Sequence, residues 1–208
     1  MLANVQKIRG LSERQVTKPV TKSGKGLPPV GVAIQDYLTE EDVHRMARLA
    51  TSERNRLLIL LLFYSALRIG ECLSVIPSNL LIAESHLKLI QPKTKQAHEV
   101  GIPRWLMAEL MSYIKTSKIL KDKRLFDISP VTAWQIVKSY GHKIHKKTYP
   151  QLFRHSRAID LAQRLGKETE VSRHLGHVSD ATVKTYFRFL SEREVADKVV
   201  KLDEKSIG

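Results

Sequence analysis

Five short motifs hold residue types that could together act on a phosphodiester bond. In chain order they are Ala66-Leu67-Arg68-Ile69-Gly70-Glu71, Gln91-Pro92-Lys93-Thr94-Lys95, Leu152-Phe153-Arg154-His155-Ser156, Leu175-Gly176-His177 and, nine residues further on, Tyr186. Cleaving such a bond without a metal ion requires a nucleophile, groups that neutralise the non-bridging oxygens and a proton donor for the leaving oxygen. Arg68 and Arg154 suit the oxygens, because a guanidinium stays charged and donates two hydrogen bonds from one plane.

Simpler interpretations exist for the residues around these arginines. Arg68 follows an apolar stretch, where an unpaired charge is costly, which favours an anion-binding role. It could instead reach solvent or pair with Glu71, three residues later on the same helical face. His155 follows Arg154 directly and should point elsewhere on the helix, so we interpret it as a packing residue or one that supports the site.

The five motifs, in this order and at these spacings, resemble the tyrosine recombinase family, which includes phage integrases, Xer-type recombinases and integrases of archaeal viruses. The resemblance covers about residues 37–190. It implies the catalytic domain of a site-specific recombinase, an enzyme that cleaves and rejoins double-stranded DNA without a cofactor. It further implies self-association, as a tetramer on DNA.

The resemblance also implies roles for individual residues. Tyr186 would be the nucleophile, forming a covalent 3′-phosphotyrosine and freeing a 5′-hydroxyl, so that rejoining needs no ATP; position alone would favour core packing of this tyrosine. Lys93 matches the lysine that protonates the leaving oxygen, with Lys95 as the competing candidate. His177, turned into a cleft by the helix-terminating Gly176, would donate a hydrogen bond to the phosphate.

One position departs from the family pattern. The family commonly has histidine, sometimes lysine, three residues before the second arginine, and here that residue is Gln151. Glutamine donates and accepts hydrogen bonds but takes no proton near neutral pH. Either Gln151 only holds the phosphate, or a neighbour such as Lys147 or His145 acts as the base. The resemblance assigns Glu71 a stabilising role in the site, and a surface acid is the alternative.

Charge and composition point to a polyanionic partner. The 208 residues include 35 Lys and Arg against 21 Asp and Glu, a formal net charge of +14, and such an excess favours binding to phosphates. The stretch 141–157 has five cations and no acid. We predict DNA-backbone contacts from it, although a solvated loop is the alternative. The predicted DNA-binding residues outside the catalytic set are Lys95, Lys143, Lys146, Lys147 and Arg157.

Cysteine content and hydropathy limit the classes of protein to which this chain can belong. The single cysteine, Cys72, cannot form an internal disulfide, and the longest apolar run, Leu57 to Leu67, is too short to span a bilayer. We expect a soluble intracellular protein of a prokaryotic cell, or of the host of a virus or plasmid, with no membrane partner. His174 and His177 could share a metal ion, but no clear third ligand accompanies them, and we predict no metal site.

Hydrophobic spacing predicts the elements that must position these residues, a mainly helical α+β fold with one small antiparallel sheet. Helices are expected from the cap Thr39, over Arg54–Leu67 and Ile69–Val75, over Pro103–Lys115, from the cap Ser129 to Tyr140, over Pro150–Leu165, in a short segment ending at Leu175-Gly176, and over Asp180–Leu190. Strands are expected at Leu80–Ile82, Leu87–Ile90 and His98–Ile102.

The two ends of the chain differ from its centre. Residues 1–36 are basic and contain a Gly- and Pro-rich break, which is typical of a flexible arm or linker, and the catalytic domain is expected over 37–208. Within it, residues 191–208 could form a helix that docks on a neighbouring protomer or on its own domain. Family members usually carry an additional N-terminal helical domain, so the chain is either a catalytic fragment or a minimal enzyme.

Three other functions share part of this evidence. A type IB topoisomerase would use similar chemistry to relax supercoils. A catalytically weak or inactive DNA-binding relative would keep the fold and charge, and Gln151 is the feature that favours it. A helix-turn-helix regulator would not account for Arg68, Lys93 and Tyr186 together.

Overall fold

The structure is a computed structural model that describes residues 37–90, 97–176 and 181–191. The predicted basic arm, Lys93, Lys95, His177 and the tail beyond residue 191 lie outside these described residues. Within them the chain is mainly helical with one three-stranded antiparallel sheet, which confirms the predicted fold class. No helix in these ranges is long and apolar enough to cross a membrane.

The elements follow the order that the hydrophobic spacing predicted. The helices are α1 Glu40–Arg48, α2 Glu53–Ser65, α3 Ile69–Ser74, α4 Arg104–Thr116, α5 Pro130–Lys143, α6 Pro150–Leu165, α7 Glu168–His174 and α8, residues 181–191. The strands are β1 Leu80–Leu81, β2 His86–Ile90 and β3 Ala97–Gly101. A 3₁₀ turn over Pro77–Asn79, which the sequence analysis did not anticipate, leads into β1.

The start of α1 has the predicted cap. Thr39 Oγ1 accepts the Asp42 amide at 3.1 Å, and Asp42 Oδ2 accepts the Thr39 amide at 3.0 Å, which forms a reciprocal capping box. Val43, Met46 and Ala47 then lie buried on one face, as their spacing predicted. Lys146 donates to Asp42 Oδ2 at 2.6 Å and so joins this helix start to the segment before α6.

Helix α2 is the centre of the domain. It is apolar all round, and every residue from Leu57 to Ser65 is buried, as expected of a helix surrounded by others. The helix ends at Ala66, which adopts a left-handed conformation with φ of 51°. This turn changes the chain direction immediately before Arg68, and Arg68 then forms the N-terminal cap position of α3.

The sheet alternates between a buried and an exposed face. Leu87 and Val100 pair across β2 and β3 and are both buried, whereas the next pair, Lys88 and Glu99, is exposed with the charged atoms 3.6 Å apart. The last registered pair is Ile90 with Ala97. Residues 91–96, with Lys93 and Lys95, lie outside the described residues, so the position predicted for this motif stays a prediction.

A second apolar cluster joins the C-terminal helices. Its buried members come from α6, α7 and α8, together with Ala66 at the end of α2: Ala158, Ile159, Leu161, Ala162, Val171, Leu175, Val183, Tyr186 and Leu190. Gly176, with φ of 74°, follows α7 in the left-handed conformation that glycine adopts readily. The cluster packs α8, and with it Tyr186, against α6.

Candidate active site

Arg154 lies at the point where α2, α6 and α7 meet. The residue is 4% exposed. Its Nη1 donates to the Ala66 carbonyl and its Nη2 to the Leu175 carbonyl, both at 2.6 Å. These acceptors are carbonyls at the ends of α2 and α7, where helix carbonyls lack partners within the helix. Two of the five N–H groups of the Arg154 guanidinium are thus used to hold it in place.

Burial changes the electrostatics of Arg154 without removing its charge. Desolvation is the main cause that lowers its pKa to about 10, and the positive charge of Arg68 acts in the same direction. Glu71 and Tyr186 act in the opposite direction. Arg154 therefore remains protonated at neutral pH, and Arg68, Glu71 and Tyr186 all lie close enough to influence it. These four residues form the centre of the candidate site.

Arg68 reaches the surface and pairs with Glu71. Its side chain is 56% exposed, and its Nη1 donates to Glu71 Oε1 at 2.9 Å. The other carboxylate oxygen, Oε2, accepts the Arg68 backbone amide at 2.8 Å. Glu71 therefore fixes both the start of α3 and the direction of the guanidinium. The pairing considered as an alternative for Arg68 is present, and it leaves the side chain accessible to an anion.

Tyr186 is buried and its hydroxyl has a specific partner. The residue is 5% exposed within the second apolar cluster. Its Oη lies 2.7 Å from Nδ1 of His155 on α6, and the two ring centroids are 5.9 Å apart. Burial raises the Tyr186 pKa to about 12, while Arg154 opposes this shift. At neutral pH the phenol is protonated, so any attack by its oxygen requires loss of this proton.

His155 is the site residue that sequence reasoning underestimated. It was interpreted as packing or supporting, because it points away from Arg154 on the same helix. Burial, followed by the charge of Arg154, lowers its pKa to about 4, so the ring is neutral at pH 7. In the tautomer that carries the ring proton on Nε2, Tyr186 is the donor and Nδ1 the acceptor of this hydrogen bond. No local spacing signals this contact, because its partner is 31 residues away on another helix.

Gln151 and the two alternative bases, His145 and Lys147, are all exposed. Gln151 is exposed in the first turn of α6, one turn before Arg154 and His155. His145 and Lys147 are exposed and line an open cavity beside α5. Among the described residues, the Tyr186 hydroxyl is hydrogen-bonded to His155 and not to either of these.

The open cavity beside α5 is strongly basic. Its volume is about 850 Å³, and it is lined by Trp134, Gln135, Lys138, Ser139, His142, Lys143, His145, Lys146, Lys147 and Thr148. Lys138 Nζ lies 5.0 Å from the Trp134 ring centroid, and Lys143 Nζ lies 4.7 Å from that of Tyr140. Lys143 and Lys147 are exposed. The cavity thus presents cations and an aromatic ring on one surface.

Two of the predicted DNA-binding cations make contacts inside the domain. Lys146 donates to Asp42 and to the Tyr37 carbonyl, at 2.6 and 3.2 Å. Arg157, with its side chain mostly buried, pairs with Asp160 at 2.5 Å, and its guanidinium lies over Phe63 and Tyr64. These contacts stabilise the packing of α6 and of the segment before it. The number of charges in the sequence does not indicate such a role.

Comparison with known proteins places this arrangement in a family. The model of the phage integrase family matches residues 36–193, which include all five motifs. The chain belongs to the phage integrase family. This match confirms the resemblance to tyrosine recombinases. The chain is also similar in sequence to the tyrosine recombinase XerA of Pyrococcus horikoshii. The two are 28% identical over 191 residues, which cover 87% of this chain and 67% of XerA.

Solved structures share the fold of this integrase-family chain. The XerH site-specific recombinase bound to palindromic difH substrate in a post-cleavage complex superposes with a TM-score of 0.69 at 20% identity, over 80% of this chain and 53% of XerH. The catalytic domain of bacteriophage HP1 integrase superposes with a TM-score of 0.56 at 21% identity, over 78% of this chain and 94% of that domain. The chain thus spans about half to two thirds of the length of XerA and XerH, but nearly all of the HP1 domain.

His174 is one of the two histidines that were considered as metal ligands. Its pKa is lowered to about 4, mainly by burial and then by Arg157. Its Nε2 is buried and has no hydrogen-bond partner among the described residues. No group of three or more potential metal ligands lies together in the described ranges. His177, the suggested partner of His174, lies outside the described residues.

Proposed function

We propose that this chain is the catalytic domain of a site-specific DNA recombinase that cleaves and rejoins strands through a covalent 3′-phosphotyrosine at Tyr186. One observation carries the proposal. The fixed, protonated Arg154 interacts electrostatically both with Tyr186 and with the accessible Arg68, although the three belong to separate elements of the chain. A nucleophile and two guanidinium groups gathered around one site are what phosphodiester cleavage requires.

The chemistry follows from these groups. Arg154 and Arg68 would bind the non-bridging oxygens and stabilise the charge that develops on them in the transition state. The Tyr186 oxygen bonds to phosphorus, the bond from phosphorus to the 5′ oxygen breaks, and the departing oxygen receives a proton. By resemblance, Lys93 supplies that proton and His177 donates a hydrogen bond to the phosphate. XerH, whose fold this chain shares, is a site-specific recombinase captured on DNA in a post-cleavage complex, which supports strand cleavage as the activity of the fold.

Trapping the covalent intermediate tests the proposal. A binding site is first selected from random duplexes, and a duplex nicked near the centre of that site then serves as the substrate. We expect an adduct that survives denaturation and that peptide mapping places at Tyr186, and we expect Tyr186→Phe to abolish it. Tyr140→Phe is the matched control, because Tyr140 is also buried but its hydroxyl contacts Thr51. An adduct of undiminished yield from Tyr186→Phe would refute the assignment.

Exchange between two DNA sites separates the recombinase from related activities. Recombinant products from two duplexes support site-specific recombination, whereas relaxation of supercoils alone supports a topoisomerase-like activity. Specific binding without any adduct supports the inactive relative, which Gln151 favours because it replaces a titratable residue.

The basic cavity beside α5 is proposed as part of the DNA-binding surface. Lys143→Gln and Lys147→Gln are each expected to weaken binding by a similar factor for all sequences and to reduce the slope of log affinity against log salt by about 1. Filter binding or fluorescence anisotropy between 50 and 200 mM salt, concentrations that bracket the usual working range, measures this slope. Lys115→Gln, an exposed lysine in the last turn of α4, is the control. A wild-type slope in the cavity variants would place the DNA elsewhere.

A further inference from the structure

The hydrogen bond between Tyr186 and His155 joins the proposed nucleophile to a group that can hold a proton. Its length is 2.7 Å from Oη to Nδ1, and it connects α8 to α6 inside the second apolar cluster. The short distance shows that the imidazole meets the phenol hydroxyl through a ring nitrogen. In the Nε2-protonated tautomer this nitrogen presents a lone pair to the hydroxyl proton.

We propose that His155 is a catalytic residue, with Nδ1 accepting the Tyr186 proton as the phenol oxygen attacks phosphorus. The inference rests on the proposed function and deepens it by naming the base. It accounts for glutamine at position 151, where the family pattern has a titratable residue, because the proton acceptor is then supplied by the same helix one turn later. Neither Lys147 nor His145 is needed for this task.

The protonation states agree with this direction of transfer. A phenol with a pKa of about 12 is ionised to a fraction on the order of 10⁻⁵ at pH 7. Spontaneous ionisation therefore leaves little reactive phenolate, and an acceptor in contact with the hydroxyl removes this obstacle. His155 is neutral before the reaction, because burial lowers its pKa to about 4. A neutral ring has one unprotonated nitrogen, and in the Nε2-protonated tautomer that nitrogen is Nδ1, which can accept the proton.

The surrounding charges make the transfer depend on bound DNA. Arg154 is the charged neighbour on α6, and it is influenced in turn by Arg68 at the cap of α3 and by Glu71 within α3. His174 on α7 has a pKa lowered in part by the same Arg154 charge. An imidazolium beside Arg154 is unfavourable in the free protein, since both groups would be positive. A phosphate held by Arg154 places negative charge next to the new cation and offsets this repulsion. The base would thus act when the scissile phosphate is in position.

The step is balanced and reversible. The proton leaves Oη for Nδ1 as the bond from Oη to phosphorus forms and the bond to the 5′ oxygen breaks, with that oxygen protonated as described above. On rejoining, the 5′ oxygen attacks phosphorus and the His155 imidazolium returns its proton to the departing Tyr186 oxygen. One histidine therefore serves both cleavage and rejoining.

Two substitutions separate proton acceptance from simple packing. His155→Asn places an amide oxygen near the position of Nδ1, so it keeps a hydrogen-bond acceptor that cannot take the proton. His155→Ala removes both the acceptor and the ring. We expect each variant to form the covalent adduct 10²- to 10⁴-fold more slowly than wild type in single turnover, the usual range for loss of a general base, while DNA affinity and melting temperature in His155→Asn stay near the wild-type values.

The pH profile and the acidity of the nucleophile give readouts that packing would not change. In both variants the rate should rise about tenfold per pH unit over the range in which wild type has levelled off, because hydroxide must then remove the proton. Incorporation of 3-fluorotyrosine at position 186, which lowers the phenol pKa, should accelerate His155→Asn several-fold more than it accelerates wild type.

The possible results separate a failure of the His155 assignment from a failure of the proposed function. If wild type forms an adduct and His155→Asn matches its rate and pH profile, His155 only positions α8 and the inference is wrong. Slow variants with a wild-type pH profile and no greater response to fluorotyrosine also overturn it. If wild type forms no adduct on its selected site, the proposed function itself fails, and the assignment of His155 fails with it.

Discussion

Arg154→Ala is expected to lower the rate of covalent adduct formation by about 10²- to 10³-fold, on the order of 3–4 kcal/mol of transition-state stabilisation. The guanidinium is the buried, fixed cation of the candidate site, and its replacement leaves no group in that place to stabilise the oxygens of the phosphate. The same change removes the two hydrogen bonds to the Ala66 and Leu175 carbonyls. We therefore also expect the free energy of unfolding to fall by about 2–5 kcal/mol, since each is a charge-assisted bond to a buried acceptor.

Arg68→Ala is the matched comparison for separating the two effects. Arg68 is exposed and pairs with Glu71, so its loss should reduce adduct formation and leave the free energy of unfolding within about 1 kcal/mol of wild type. Single-turnover trapping on the nicked duplex and urea unfolding, carried out on the same preparations, measure both quantities. A folded Arg154→Ala protein that forms adduct at the wild-type rate would exclude Arg154 from the catalytic site.

Gly141→Ala is expected to lower the free energy of unfolding by about 1–3 kcal/mol or more, the usual cost of forcing an extra carbon into a packed interior. Gly141 is buried near the end of α5, where a methyl group would lie 2.6 Å from Thr148 Cβ and still closer to its Oγ1. Thr148 cannot move freely, because it is 2% exposed and its hydroxyl donates to the Val137 carbonyl at 2.7 Å. This close approach packs α5 against the segment that leads into α6.

Gly70→Ala provides the control for the change of residue type. Gly70 lies in α3 with no atom within 4 Å of an added methyl group, and alanine is the better helix former. We expect its free energy of unfolding to stay equal or rise by up to about 1 kcal/mol. Urea unfolding followed by circular dichroism compares the two variants. Equal midpoints for Gly141→Ala and wild type would show that α5 and Thr148 can separate at little cost.

The order and limits of the elements were predictable, because they depend on signals within a few residues. Thr39 and Ser129 were expected caps and are caps, and Pro150 was expected to begin a helix and begins α6. The continuous apolar run in α2 predicted a central helix, and the structure buries it on all sides. Helix caps and buried helix faces depend on hydrogen bonding and burial along a single element, so the local sequence is enough to predict them.

The ion pairs of the basic stretch were not predicted from the sequence. For Lys146 and Arg157 we predict DNA contacts, because they belong to an acid-free basic stretch, and in the structure they also pair with Asp42 and Asp160. Asp160 lies three residues after Arg157 and could have been considered from helical spacing. Asp42 precedes Lys146 by 104 residues, and only the packing of α1 against α5, which ends shortly before Lys146, brings the two together.

The sequence by itself determined the family, because its motifs resemble tyrosine recombinases and the phage integrase model matches residues 36–193. It also predicted the residues proposed to act chemically: two arginines, a lysine, a glutamine, a histidine and a tyrosine. The tertiary structure alone decided that Arg154 is fixed by carbonyls at two helix ends and that the Tyr186 hydroxyl contacts His155. The physical reason is that spacing along a helix sets which face a residue occupies, whereas the docking of α8 on α6 sets what that face meets.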